Sequence, residues 1–194
     1  MDPDAYLCQL AEIFNGISVN TPSLSAIIAI ILAGLLLLAS GFASASEIAF
    51  FSLSPSDLND IEEGNHPSDG KISNLLADSE RLLATILITN NFVNVTIIML
   101  CNFFFMNVFV FHSPLAEFLI LTVILTFLLL LFGEIMPKIY SAQKTLAFCR
   151  FSAPVIYVLR KVFAPISAVL VHSTAFLNKH FAKKNHNISV DELS

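Results

Sequence analysis

Three stretches of this chain are long enough to cross a lipid bilayer and almost empty of ionisable side chains. No Asp, Glu, Lys, Arg or His occurs between Glu12 and Glu47. Only His112 occurs between Arg81 and Glu117, and none between Glu117 and Glu134. A membrane-crossing helix needs about 20 apolar residues, and lipid offers no partner to an open backbone group, so such segments must be helical. The pattern predicts helices at about 24–50, 82–111 and 115–134. With 56% of its 194 residues hydrophobic and 13% charged, the chain reads as an all-α membrane protein. A fourth apolar stretch, about 151–177, is interrupted by Pro154, Arg160, Lys161 and Pro165. It is predicted to lie at the interface or to be partly re-entrant.

Orientation follows from the ten Lys and Arg residues. None precedes the first segment, and none lies in the His112-Ser113-Pro114 turn between the second and third. Lys71 and Arg81 fall between the first and second, and all the others follow the third. The positive-inside rule puts those two regions in the cytoplasm and the N-terminus outside. The expected division is an extracytoplasmic segment (1–22), a transmembrane domain (23–137) with a cytoplasmic loop at about 54–80, a juxtamembrane helical belt (138–180) and the start of a further cytoplasmic region (181–194). In the belt, Lys138, Lys144, Arg150, Arg160 and Lys161 alternate with Tyr140, Phe148, Phe151, Tyr157 and Phe163. Apolar faces can then sink into the bilayer while cations reach headgroups.

Local signals add detail. The acidic start, Met1-Asp2-Pro3-Asp4, argues against a signal peptide, and residues 5–15 suit a short amphipathic helix. Ser54-Pro55-Ser56-Asp57 predicts a capped helix start with Pro at its first position. Gly64 to Gly70 reads as a loop. Ser189-Val190-Asp191-Glu192 is a capping box with only two residues after it, so a further cytoplasmic domain is expected beyond Ser194. Cys8, Cys101 and Cys149 are scattered and predict neither disulfides nor a thiolate metal site.

Polar groups stand within each apolar segment. Ser40 and Ser44 share a helical face, and Glu47 adjoins it. Close packing by small residues and metal ligation both fit that pattern. Asn90 and Asn94 share a face of the second segment, where interhelical hydrogen bonding and ligation are both open. The third segment ends in Gly133-Glu134-Ile135-Met136-Pro137-Lys138. Glu134 can pair with Lys138 four residues on. Pro137 has no N–H, so in an α-helix the Gly133 carbonyl is left free. Oxygen groups from three helices, with no Cys or His among them, suit a hard cation such as Mg²⁺ or Ca²⁺ and disfavour Zn²⁺ or Cu⁺. An enzyme is not expected: His-Glu-x-x-His, Gly-x-Ser-x-Gly and phosphate-loop motifs are all absent.

Ser40-Gly41-Phe42-Ala43-Ser44-Ala45-Ser46-Glu47-Ile48-Ala49, then Asn90-Asn91-Phe92-Val93-Asn94, then Phe132-Gly133-Glu134-Ile135-Met136-Pro137-Lys138 resemble, in order and spacing, the transmembrane domain of the CorC / cyclin M magnesium transporters. The resemblance covers about residues 22–180, and some bacterial members are gliding-associated. It implies three membrane helices, a juxtamembrane belt, a homodimer in a bacterial inner membrane and a following CBS-pair region, with no nucleic-acid partner. It implies that Mg²⁺ sits in an inward-opening cavity on Ser40, Ser44, Asn90 and the Gly133 carbonyl with Glu134 nearby, and it extends less firmly to Asn94 and Glu47. Thr89 departs from the small Gly that many members carry before the Asn pair. The implied activity is Mg²⁺ transport, outward in direction. The alternative is a Mg²⁺ sensor that acts on a partner without transporting.

Overall fold

The computed structural model describes residues 18–110 and 114–171, with the side chains of residues 114–116 left out. The helix expected at 5–15, the His112 turn and the capping box at Ser189 lie outside the described residues. The element order is β1 (Ser18–Val19), α1 (Leu24–Phe51), α2 (Pro55–Glu62), α3 (Asp69–Leu76), α4 (Ser79–Val108), β2 (Phe109–Val110) and α5 (Pro114–Leu128). A π-helical segment (Leu129–Ile135), α6 (Met136–Gln143), α7 (Thr145–Val162) and α8 (Ala164–Val171) complete it. The fold is that of an all-α membrane protein. Leu24–Phe51, Ser79–Val108 and Glu117–Gln143 are each long and apolar enough to span a bilayer.

Two compact units divide the chain. The first contains residues up to Ala45 and Asn90–Tyr140; the second contains Ser46–Thr89 and the residues from Ser141 on. In the first, Ala33, Val93, Ile97, Cys101 and Leu125 form a buried apolar cluster with Leu37 and Leu129 against it. Larger side chains such as Ile31, Leu38, Met99, Phe118 and Phe127 stay exposed, as lipid-facing residues should. The sequence put the second helix at 82–111, but α4 ends at Val108. There Phe109 and Val110 pair antiparallel with Val19 and Ser18, and the Asn20 N–H donates to the Val108 carbonyl at 2.7 Å. This short ladder satisfies backbone groups that the helix end releases.

The second unit builds on local capping. Ser54 caps α2: its Oγ accepts from the Asp57 N–H, Asp57 Oδ2 accepts from the Ser54 N–H at 2.9 Å, and Pro55 opens the helix. Gly64 has a positive φ of 69°, which ends that helix in a conformation glycine adopts without strain. The predicted loop is shorter than expected, because Asp69 and Gly70 already belong to α3. The reason is a fully buried carboxylate. Asp69 Oδ2 accepts from the His66 N–H at 2.8 Å, and Arg150 on α7 donates to Asp69 through Nε at 2.8 Å and a terminal nitrogen at 3.1 Å. The Arg150 hydrogen bonds lower the Asp69 pKa below its ordinary 3.8, burial opposes them, and the His66 N–H adds to the lowering. Ile72, Leu75, Cys149, Ala153 and Ile156 are buried on these same helices. Beyond Val162 the chain bends by 79° between α7 and α8, at Phe163 and just before Pro165. The interrupted fourth stretch is thus two short helices, not one straight span.

Candidate metal centre

The polar residues of the first unit meet around Ser40, which is fully buried on α1. Its Oγ lies 2.9 Å from Asn90 Oδ1 and 2.6 Å from Asn94 Oδ1, both on α4. One helical turn separates Asn90 from Asn94, so the shared face read from their spacing is real. A hydroxyl carries one hydrogen and cannot donate fully to two amide oxygens. One Asn must turn its NH₂ toward the Ser40 lone pairs, or one oxygen seeks another partner. In the first case the three side chains satisfy one another; in the second an amide oxygen is left for another partner.

Gly133 closes the third side. A Cβ there would sit 3.1 Å from Ser40 Oγ, so the lack of a side chain is what allows the third membrane helix to come this near. The surrounding backbone differs from the α-helix that the sequence suggested. Leu129–Ile135 is π-helical, and the Met136 N–H donates to the Leu131 carbonyl five residues back. Pro137 stands where this ladder returns to α. Its missing N–H is withheld from the Phe132 carbonyl in the π register and from the Gly133 carbonyl in the α register. The break therefore concerns two adjacent main-chain oxygens, where the sequence identified one. Short π segments inside α-helices often mark functional sites.

Ser44, one turn along α1 from Ser40, is fully buried and its Oγ has no hydrogen-bond partner. It is the one buried side-chain polar atom without a partner among the described residues. Leaving a buried hydroxyl unsatisfied costs about 1–3 kcal/mol, so the atom calls for an explanation. Glu134, the next residue after Gly133, is half-buried. Glu47 lies three residues beyond Ser44 on the same helix and is half-buried in the second unit. Asn91 faces outward. Thr89 donates to the Thr85 carbonyl at 2.8 Å, so its hydroxyl is satisfied within α4 and adds no orphan group.

The donor set is made of hard oxygens. Among the described residues no group of three His, Cys, Asp or Glu side chains could hold a metal ion, so any cation here must rely on neutral ligands with at most one or two carboxylates. Spacing put Ser40 with Ser44 and Asn90 with Asn94, the resemblance implied Ser40, Ser44, Asn90, Gly133 and Glu134 as ligands, and in the structure Asn90 and Asn94 both reach Ser40. Sequence reasoning missed the Phe132 carbonyl and Gly41. The only signal was the neighbourhood of Pro137 and Ser40.

Comparison with known proteins gives two findings. The family described as the cyclin M transmembrane N-terminal domain matches residues 30–194. A UPF0053 protein from Haemophilus influenzae (strain ATCC 51907 / DSM 11121 / KW20 / Rd) is 32% identical over 130 residues, which cover 67% of this chain and 30% of that relative. The chain thus aligns with less than a third of the relative's length.

Proposed function

This chain belongs to the cyclin M transmembrane family, and from that premise we propose that it transports Mg²⁺, held between its three membrane helices as cargo. The observation that carries the reading is the buried, partnerless hydroxyl of Ser44, one turn from the Ser40–Asn90–Asn94 cluster. A cation would satisfy these oxygens at once. Ser40, Ser44, Asn90, Asn94 and the Gly133 carbonyl supply neutral ligands, and Glu134 supplies attraction. This chemistry fits Mg²⁺, which takes oxygen ligands, keeps several waters and is usually held by few carboxylates. Low site charge also lets the ion leave again.

The residues then divide the work. Ser and Asn oxygens replace part of the hydration shell. The π segment and Pro137 offer main-chain oxygens at the same place without adding charge. Release on the far side needs the helices to rearrange in alternating access, and export is the direction proposed. The working form is a homodimer in the bacterial inner membrane, with its N-terminus outside. Residues 138–180 lie at the cytoplasmic surface, and a CBS-pair region follows in the longer protein. The competing reading is a Mg²⁺ sensor acting on a partner. It draws on the relative's extent well beyond the matched span.

Flux separates the two. Purified full-length protein in proteoliposomes should move Mg²⁺ faster than empty vesicles, and Asn90→Ala should abolish the difference. If wild-type flux equals that of empty vesicles while Mg²⁺ still raises the melting temperature, the protein senses the ion.

A further inference from the structure

Gly41 has no role in any of the hydrogen bonds above, yet it is the most closely packed of the described glycines. A Cβ at position 41 would sit 2.9 Å from Pro137 Cγ and 3.3 Å from the Phe132 carbonyl oxygen. Real Cβ atoms essentially never come within 3.0 Å of another heavy atom, and a pyrrolidine ring cannot swing aside as a flexible side chain would. The contrast is Gly34, two turns earlier on α1, where an added Cβ would meet nothing within 4 Å. Gly34 is small without need. Gly41 is small because the Pro137 ring and the Phe132 carbonyl are pressed against α1 there.

We infer that Gly41 is a positioning residue for the metal site, seating the Pro137 break of the third membrane helix so that the Phe132–Gly133 backbone stays against Ser40. The neighbouring residue Ser40 is itself 3.1 Å from where a Gly133 Cβ would be. Gly41 and Gly133 are thus two halves of one close contact, each lacking the Cβ that would part the helices. A methyl group at 41 must push the ring away, and the carbonyls on either side of Gly133 move with it. The ligand groups would all remain, with their geometry lost. The inference rests on the Mg²⁺ site proposed above.

The test is a double-mutant cycle read by Mg²⁺-dependent melting of the full-length protein in detergent. Gly41→Ala should raise the Mg²⁺ concentration for half-maximal stabilisation by about tenfold or more, the size seen when groups supporting metal ligands are removed. Gly34→Ala should leave it unchanged. Pro137→Ala removes the ring that position 41 accommodates, so Gly41→Ala in that background should cause little further change, a strong departure from additivity. If Gly41→Ala does not fold, the comparison of Pro137→Ala with Gly41→Ala/Pro137→Ala decides alone, and equal Mg²⁺ responses support the inference. A normal Mg²⁺ response in Gly41→Ala, or additive effects in the cycle, overturns it and leaves the site reading intact. No Mg²⁺ response in the wild type overturns the site reading, and this inference with it.

Discussion

The two units bury polar groups in opposite ways. In the second, Asp69 is fully buried and fully answered: two nitrogens of Arg150 and the His66 N–H reach its oxygens. In the first, Ser44 is equally buried and unanswered, and Ser40 faces two amide oxygens with one hydrogen. A polar group that the protein satisfies internally is architecture. One that it leaves short of partners is waiting for something. Asp69 and Ser44 are both fully buried, and satisfaction separates the brace from the candidate ligand site.

If this contrast is right, substitutions that break the Asp69–Arg150 brace should change stability and ignore Mg²⁺, and those at Ser44 or Asn90 should weaken the Mg²⁺ response. The largest loss of stability is expected from Arg150→Met, which strands a buried carboxylate; removing one member of a buried ion pair is far more damaging than replacing both. Its melting temperature should fall sharply, by the same amount in Mg²⁺ and in EDTA. The brace also sets an acid limit. Because the folded pKa of Asp69 lies below its ordinary 3.8, its contribution is complete above that value and is lost as pH falls through the folded pKa. Melting temperature measured from pH 7 downward should drop steeply below about pH 4 in the wild type, and Arg150→Met should lose part of that slope.

Asn90→Ala comes next. It should weaken the Mg²⁺ effect well beyond Asn102→Ala, which removes the same group from an exposed position on the same helix. Equal damage would assign the loss to helix packing. Pro137→Ala should split the two readouts. A regained backbone hydrogen bond is worth about 0.5–1.5 kcal/mol, so stability without Mg²⁺ should hold or rise while the Mg²⁺ response falls. The smallest effect is Ser54→Ala, a lost helix cap of about 0.5–2 kcal/mol, with the Mg²⁺ response untouched.

The membrane helices were legible because charge is excluded from lipid over long stretches; α1 starts where the sequence placed it and runs one residue further. The Ser54 cap was legible because every partner lies within three residues. Asp69–Arg150 was not, since nothing local announces a contact across 81 positions. The β1–β2 ladder is only two residues a side and too short to leave a pattern. Around Pro137 the sequence identified the missing donor and the wrong ladder. The α register was assumed, but tight packing of Gly41 and Gly133 accompanies a π segment there. Among the candidate ligands, spacing found the faces and could not find that Ser40 meets both Asn90 and Asn94 or that the Ser44 hydroxyl is left without a partner.

The most direct measurement is melting of the purified protein against Mg²⁺ concentration, wild type beside Ser44→Ala, with ionic strength matched by K⁺. A ligand that binds only the folded state at a hundredfold excess over Kd stabilises by about 2.7 kcal/mol. The wild type should show a saturable rise. Ser44→Ala removes a buried hydroxyl that has no partner, so without Mg²⁺ it should be as stable as the wild type or more so, and its rise should be weaker and need more Mg²⁺. Superimposable wild-type curves in Mg²⁺ and EDTA, or a full Mg²⁺ response in Ser44→Ala, would contradict the assignment of this cluster as a metal centre.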